Sequence, residues 1–178
     1  MEAWELPVCL NQYLSKLNLV KGLDNLNEHQ IIKEYFSDVG SAYLAEHGIR
    51  VPVGDDAAVL APPKGKESVI SVDTSIEGVH FLKAMNASDI AYRSVSVALS
   101  DLAACGATPS WFTLALTLEA YDSIWLSGFR RGLEGISSEL SIPLIGGDMT
   151  KGNLSITVQV GGYVEAVSYT HLTLPTKA

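Results

Sequence analysis

Only two cysteines occur in the 178 residues, Cys9 and Cys105, and they match no metal-ligand spacing such as Cys-x-x-Cys. Cys105 falls in an apolar helical pattern, where a buried, reduced thiol is expected. No apolar stretch reaches the roughly 18 residues that a membrane span requires. Glu2 and Glu5 stand where a secretory leader would carry its basic segment, so no export signal is read and a cytoplasmic location is expected. In that setting the sequons at Asn86 and Asn153 are coincidental. No Lys/Arg cluster interrupts a formal net charge of −8, which argues against a nucleic-acid partner. The familiar nucleotide and hydrolase signatures are missing as well. Gly65-Lys66-Glu67 lacks the hydroxyl and the first glycine of a Walker A loop. There is no Rossmann fingerprint, no His-Glu-x-x-His and no Gly-x-Ser-x-Gly.

What is present is a globular composition, 47% hydrophobic and 18% charged, at a length that supports one domain with a proper core. Leu10–Leu19 suits a short helix. Ile31, Ile32, Tyr35 and Phe36 recur at helical spacing, which predicts a helix over Glu28–Phe36. A loop holding Gly48, Pro52 and Gly54 precedes a short strand, Ala57–Leu60. Ser68–Thr74 reads as a buried strand. A helix over Asp89–Cys105 is capped by Ser88 and ended by Gly106. Phe112–Leu118 alternates as a strand, and Asp122 opens a helix to about Leu140. Strands at Pro143–Ile145 and Leu154–Val160 are joined by a glycine-rich loop too short for a helical crossover. The expected class is therefore α+β, with a mixed or antiparallel sheet packed with helices. The working part spans residues 27–166, preceded by an extension over 1–26. From Val167 to Ala178 the segment has neither the core alternation nor the charges of the rest, Lys177 apart. That tail reads as translated vector or adaptor sequence, with a genuine frayed terminus as the alternative.

Four aspartate clusters carry the candidate chemistry. In Gly54-Asp55-Asp56-Ala57-Ala58, two adjacent carboxylates repel, and a bound cation would relieve that cost. A solvated Asp-rich turn is the plain alternative. In Val69-Ile70-Ser71-Val72-Asp73-Thr74, strand alternation puts Ser71 and Asp73 on one face, oxygen donors suited to a hard cation. A strand-end Asp capping the next turn competes with that reading. Asp101 shares a helix face with Ser94, Val97, Ala98 and Cys105, where an ionised carboxylate is costly to bury without a cation or several donors. Gly146-Gly147-Asp148 leaves a strand into a loop whose bare backbone can approach a phosphate, or it is an ordinary hairpin turn. His80, alone in Glu77-Gly78-Val79-His80-Phe81, is not selected by pattern. Multiple carboxylates without a Walker lysine suggest phosphate bound through magnesium, because phosphoryl transfer needs mainly positioning and charge neutralisation.

Taken in order, these segments resemble the thiamine-monophosphate kinases from about Asn27 to Glu165. The motifs are Glu28–Phe36, Gly54–Leu60, Asp73-Thr74 with Glu77–Phe81, Ser100–Pro109 with Trp111-Phe112, and Gly146-Gly147-Asp148. The resemblance implies the N-terminal domain of the aminoimidazole ribonucleotide synthetase-like fold. It also implies a homodimer, and ATP and Mg2+ used to phosphorylate thiamine phosphate. By that pattern Asp56, Ser71, Asp73, Asp101 and Asp148 hold magnesium, and Val72 contributes only its backbone carbonyl. Gly147, with Asp148, lies against ATP, and His80 contacts thiamine phosphate. No covalent catalytic residue is implied.

Three features depart from the pattern. Met149-Thr150-Lys151 replaces Thr-Thr-Arg, and Arg130 stands where an aromatic residue often contacts nucleotide. A C-terminal domain with further contacts is missing from the sequence, which leads us to expect little or no activity from the chain alone. Two other readings remain: another superfamily enzyme such as selenophosphate synthetase, or a non-catalytic dimeric module that holds magnesium and nucleotide. Cys9 lacks the glycine-rich setting expected of the former.

Overall fold

A computed structural model of the chain describes residues 27–166. The expected helix at Leu10–Leu19, Cys9 and the tail from Val167 lie outside the described residues. Helix α1, Glu28–Tyr35, opens on a capping box. The Asn27 side chain accepts from the Gln30 N–H at 2.9 Å, and Gln30 accepts from the Asn27 N–H at 2.8 Å. Ile31 and Tyr35, one turn apart, bury against the core. After a 3-10 turn at Ser41–Tyr43, strands β1 (Ile49–Val51) and β2 (Val59–Leu60) pair antiparallel as a small sheet of their own. The stretch expected to be loop around Gly48 and Pro52 thus contains a strand. Its partner lies ten residues on, so nothing in its own three residues announces it.

The main sheet contains β3 (Lys66–Ile76), β4 (Thr108–Leu118), β5 (Leu144–Lys151) and β6 (Ser155–Glu165) in the order β3-β6-β4-β5. Strand β6 runs antiparallel to both β3 and β4, and β4 runs parallel to β5, so the sheet is mixed as expected. Strands β5 and β6 are not neighbours, however, because β4 lies between them. Their link at residues 152–154 passes over the end of β4, where the Gly152 N–H donates to the Leu118 carbonyl at 2.9 Å. Four extended steps reach about 13 Å, enough to clear two strand spacings of about 4.8 Å each. Strand β5 also runs straight through Gly146-Gly147-Asp148, where a loop was expected.

Helices α2 (Ala87–Ala104) and α3 (Ser123–Leu140) cover one face of this sheet. Ile90, Ala91, Val95, Ala98 and Leu102 of α2 join Leu126, Phe129 and Leu133 of α3 in a single core with the inward residues of β4 and β6. Gly132 allows the approach, since a Cβ there would lie 2.1 Å from the Ser88 carbonyl oxygen. Asp122 caps α3 as expected, accepting from the N–H groups of Ile124 and Trp125. The cap of α2 is Asn86 rather than Ser88, whose own N–H donates to the Asn86 side chain. Cys105, expected buried, is exposed just past the last residue of that helix.

The other sheet face is closed at one end by the small sheet, with Ile49, Trp111 and Ile145 packed together. Towards β3 it stays open. The strand expected to be buried is an edge strand, and Ile70 and Val72 are 56% and 60% exposed. Alternation half-buries one side of β3 under α2 and leaves the other bare.

Candidate functional site

Ser71 and Asp73 fall on the half-buried side of β3, opposite Ile70 and Val72, as alternation requires. The Ser71 hydroxyl donates to Asp101 Oδ2 at 2.6 Å, which joins the middle of β3 to the last turn of α2. Asp101 itself is exposed. The argument that its carboxylate needs a partner because it is buried therefore does not apply, and the serine hydroxyl supplies its orientation instead.

A second group gathers at the opposite edge of the sheet. Asp56, Asp55, Gly147 and Asp148 line a cleft of about 330 Å³ whose other wall is α1, through Glu28, His29 and Ile32. Leu114, Leu116 and Leu144 contribute apolar lining. Within the turn, the Asp55 carboxylate accepts from the Asp56 N–H at 2.8 Å. Gly147 sits at φ +152°, and a Cβ built on it would come 1.8 Å from the Leu114 carbonyl oxygen. The lack of a side chain is what lets β5 lie against β4 there. At Gly146 nothing stands within 4 Å of an added Cβ, so its backbone is open to a visitor.

His80 belongs to a third place, a surface pocket lined also by Phe81, Leu82, Met85 and Arg93. Its Nδ1 accepts from the Ile76 N–H at 3.0 Å. That bond puts the proton of the neutral ring on Nε2 and leaves an N–H donor for a ligand. Arg93 forms no ion pair among the described residues. Arg93 has no place in the sequence reading, and Glu28–Phe36 enters it as a helix and as part of the resemblance, with no site role for its residues. A basic residue within a helix carries no signal of its own, and only the tertiary arrangement brings Arg93, Glu28 and His29 to cavities.

The structure thus separates the candidates into the Ser71–Asp101 pair with Asp73, the Asp56–Gly147–Asp148 cleft, and the His80 pocket. Among the described residues no three His, Cys, Asp or Glu side chains converge into a metal cage. The donors are nevertheless all oxygen: carboxylates of Asp56, Asp73, Asp101 and Asp148, the Ser71 hydroxyl and the Val72 carbonyl. Each of the two oxygen groups by itself fits Mg2+, which binds one or two carboxylates, keeps several waters and takes the rest of its shell from phosphates. Arg130 is committed elsewhere, bonding Glu134, Asp38 and the Glu34 carbonyl. The hydrogen bond to Glu134, reinforced by Asp38, raises its pKa further, so it is charged at every working pH. No helix of the described residues is long and apolar enough to cross a membrane.

The profile of the family described as AIR synthase related protein, N-terminal domain, matches residues 54–164. The thiamine-monophosphate kinase of Haemophilus influenzae is 41% identical over 140 residues, covering 79% of this chain and 42% of that protein. The crystal structure of the thiamine-monophosphate kinase from Stenotrophomonas maltophilia K279a superposes with a TM-score of 0.68 at 38% identity, over 80% of this chain and 43% of the other. A solved complex, AaThiL with AMPPCP and TMP, gives a TM-score of 0.55 at 25% identity, over 83% and 45% of the two chains. The chain spans less than half the length of these relatives.

Proposed function

The chain belongs to the AIR synthase related family, whose N-terminal domain it carries, and on that premise we propose that it is the nucleotide- and magnesium-binding part of a thiamine-phosphate kinase. The reaction is transfer of the ATP γ-phosphoryl group to thiamine phosphate, giving thiamine diphosphate. The observation that carries this reading is the cleft in which the bare backbone at Gly146-Gly147 lies between the carboxylates of Asp56 and Asp148. The names of the relatives, and the AMPPCP and TMP of the AaThiL complex, support the choice of reaction.

Magnesium held at these carboxylates neutralises phosphate charge, which is the main requirement of phosphoryl transfer. Asp56 and Asp148 would hold magnesium at the cleft, while Asp73, Asp101, the Ser71 hydroxyl and the Val72 carbonyl would hold a separate ion at the β3 edge. Ser71 keeps the Asp101 carboxylate turned toward the strand. Gly147 and its neighbour admit the ATP phosphates to the backbone. His80 donates its Nε2–H to thiamine phosphate, and no side chain forms a covalent intermediate. The exposed apolar side of β3 seats a second copy of the chain, which makes the protein a homodimer, and it works in the cytoplasm. Turnover by these 178 residues alone is not expected, because the match covers only 42% of the Haemophilus influenzae protein.

Calorimetric titration of a non-hydrolysable ATP analogue tests the reading, with and without Mg2+, on the wild type and on Asp101→Asn. The amide oxygen still accepts from Ser71, so the fold is kept while the charge is lost. Binding that requires Mg2+ and weakens at least tenfold in the variant is expected. Binding indifferent to both, or none in a folded protein, overturns it.

A further inference from the structure

Arg130 reaches from α3 to the C-terminal end of α1 and holds it at Glu34 and, in the turn just beyond the helix, at Asp38. Its Nη1 donates to the Glu34 carbonyl at 2.7 Å, and its Nη2 meets Asp38 Oδ2 at 2.9 Å. Its Nε donates to Glu134 Oε1 at 2.7 Å, one turn along its own helix, which fixes the guanidinium plane. The Glu34 carbonyl lies in the last turn of α1, among the four that have no acceptor role within a helix. A cation is favoured there by the helix dipole as well. Helix α1 has only eight residues, too few to persist without tertiary anchors.

The position of that anchor matters for the cleft. Glu28, Ile32 and Phe36 follow one another at four-residue spacing and line the cavity with Asp56 and Asp148. The Glu34 carbonyl points along the helix axis towards its C-terminal end, so the contact leaves the side-chain faces of α1 free. The guanidinium therefore holds the C-terminal end of α1 while Glu28, Ile32 and Phe36 form the wall of the cleft.

We propose that Arg130 is a positioning residue that clamps α1 at the spacing from β5 which the nucleotide requires. The inference rests on the nucleotide reading of that cleft. It gives this arginine a role that involves no contact with ligand, and it makes Asp38 the partner on which the clamp depends.

The test uses the 178-residue chain as Arg130→Ala, Arg130→Lys and Asp38→Asn. Lys66→Ala, which breaks the Lys66–Glu165 pair at 3.2 Å on the far edge of the sheet, is the control for a lost surface ion pair. Two readouts are taken: the Kd of the ATP analogue with Mg2+, and hydrogen exchange at the α1 amides without nucleotide. Arg130→Ala is expected to raise the Kd about tenfold and to speed exchange in α1 while the sheet amides stay protected. Asp38→Asn is expected to do the same to a smaller extent. Arg130→Lys, which keeps the charge and at least one bond, is expected to recover most of the affinity, and Lys66→Ala to change neither readout. Wild-type binding that Arg130→Ala leaves within twofold overturns the clamp alone. Equal loss in Arg130→Ala and Lys66→Ala also overturns it, since that is the signature of general destabilisation. A folded wild type that binds no nucleotide overturns the cleft assignment, and the clamp proposal with it.

Discussion

Replacing Gly147 with alanine places a methyl group where the fold has no room for one. The new Cβ would stand 1.8 Å from the Leu114 carbonyl oxygen and 2.6 Å from its carbon, both backbone atoms of β4 that cannot rotate away. Ordinary contact lies near 3.5 Å, so β5 must retreat by roughly 1.5 Å at this point. Overpacking of this kind costs about 1–3 kcal/mol. Holding an L-residue at φ +152° adds about 1–3 kcal/mol of backbone strain. The sum, about 2–6 kcal/mol, corresponds to a fall in Tm of roughly 5–20 °C at the 2–4 °C per kcal/mol typical of domains this size. Gly146, the preceding residue, predicts the opposite result. Its Cβ would meet nothing within 4 Å, so Gly146→Ala is expected to be neutral or to gain about 0.4–1 kcal/mol through the unfolded chain. Thermal unfolding followed by circular dichroism compares the two variants under one condition. A Gly147→Ala protein melting within about 2 °C of wild type refutes the close approach of β5 to β4, and so does a lower Tm for Gly146→Ala. Because the retreat carries Asp148 with it, the same titration with an ATP analogue should show weaker magnesium-dependent binding for Gly147→Ala.

Two further substitutions address the open sheet face and the His80 pocket. Val72→Lys puts a charge in the middle of the exposed apolar side of β3, between Ile70 and Thr74, without disturbing the core. Sedimentation velocity should shift from dimer to monomer at unchanged circular dichroism, and a dimer that persists at the same concentration removes this face as the interface. In the complete protein, His80→Ala removes the Nε2–H donor and Arg93→Ala removes the cation beside it. Each is expected to raise KM for thiamine phosphate about tenfold, in line with loss of a hydrogen bond to a charged group, while leaving KM for ATP within twofold. Unchanged KM for thiamine phosphate in both variants places the acceptor substrate elsewhere.

The elements with their own local signals were legible in the sequence. Asp122 before an amphipathic run marks α3, and Ile31 with Tyr35 marks α1, because a cap and a helical stripe act within a few residues. Alternation also assigned Ser71 and Asp73 to one side of β3. What alternation cannot reveal is which strand lies at the edge. A run such as Val69-Ile70-Ser71-Val72 has the same pattern whether its second face meets a helix, a partner or water, and β3 proves to be bare there. The β5–β6 order escaped for a related reason. A three-residue link permits a hairpin, and only the pairing of β4 with both strands shows that the chain steps over it.

The candidate site divides along the same line. The carboxylates could be named because unpaired aspartates between apolar strands are costly in a structure without some compensating partner. Their grouping could not, since Asp56 and Asp148 come together across 92 positions, while Asp101 finds Ser71 across 30. Burial was also the wrong argument for Asp101: of the residues sharing its face, Ser94 and Ala98 are buried while Val97 and Cys105 are exposed, and Asp101 falls with the exposed pair. Small residues on a helix permit close approach without requiring it, so the stripe alone does not distinguish a packed face from an open one. Arg130 makes the converse case. Read against a pattern that prefers an aromatic residue, it is only a departure. Its three bonds to Glu134, Asp38 and the Glu34 carbonyl give that departure a physical content, because the same guanidinium that forgoes a ligand contact supplies the anchor that an eight-residue helix lacks.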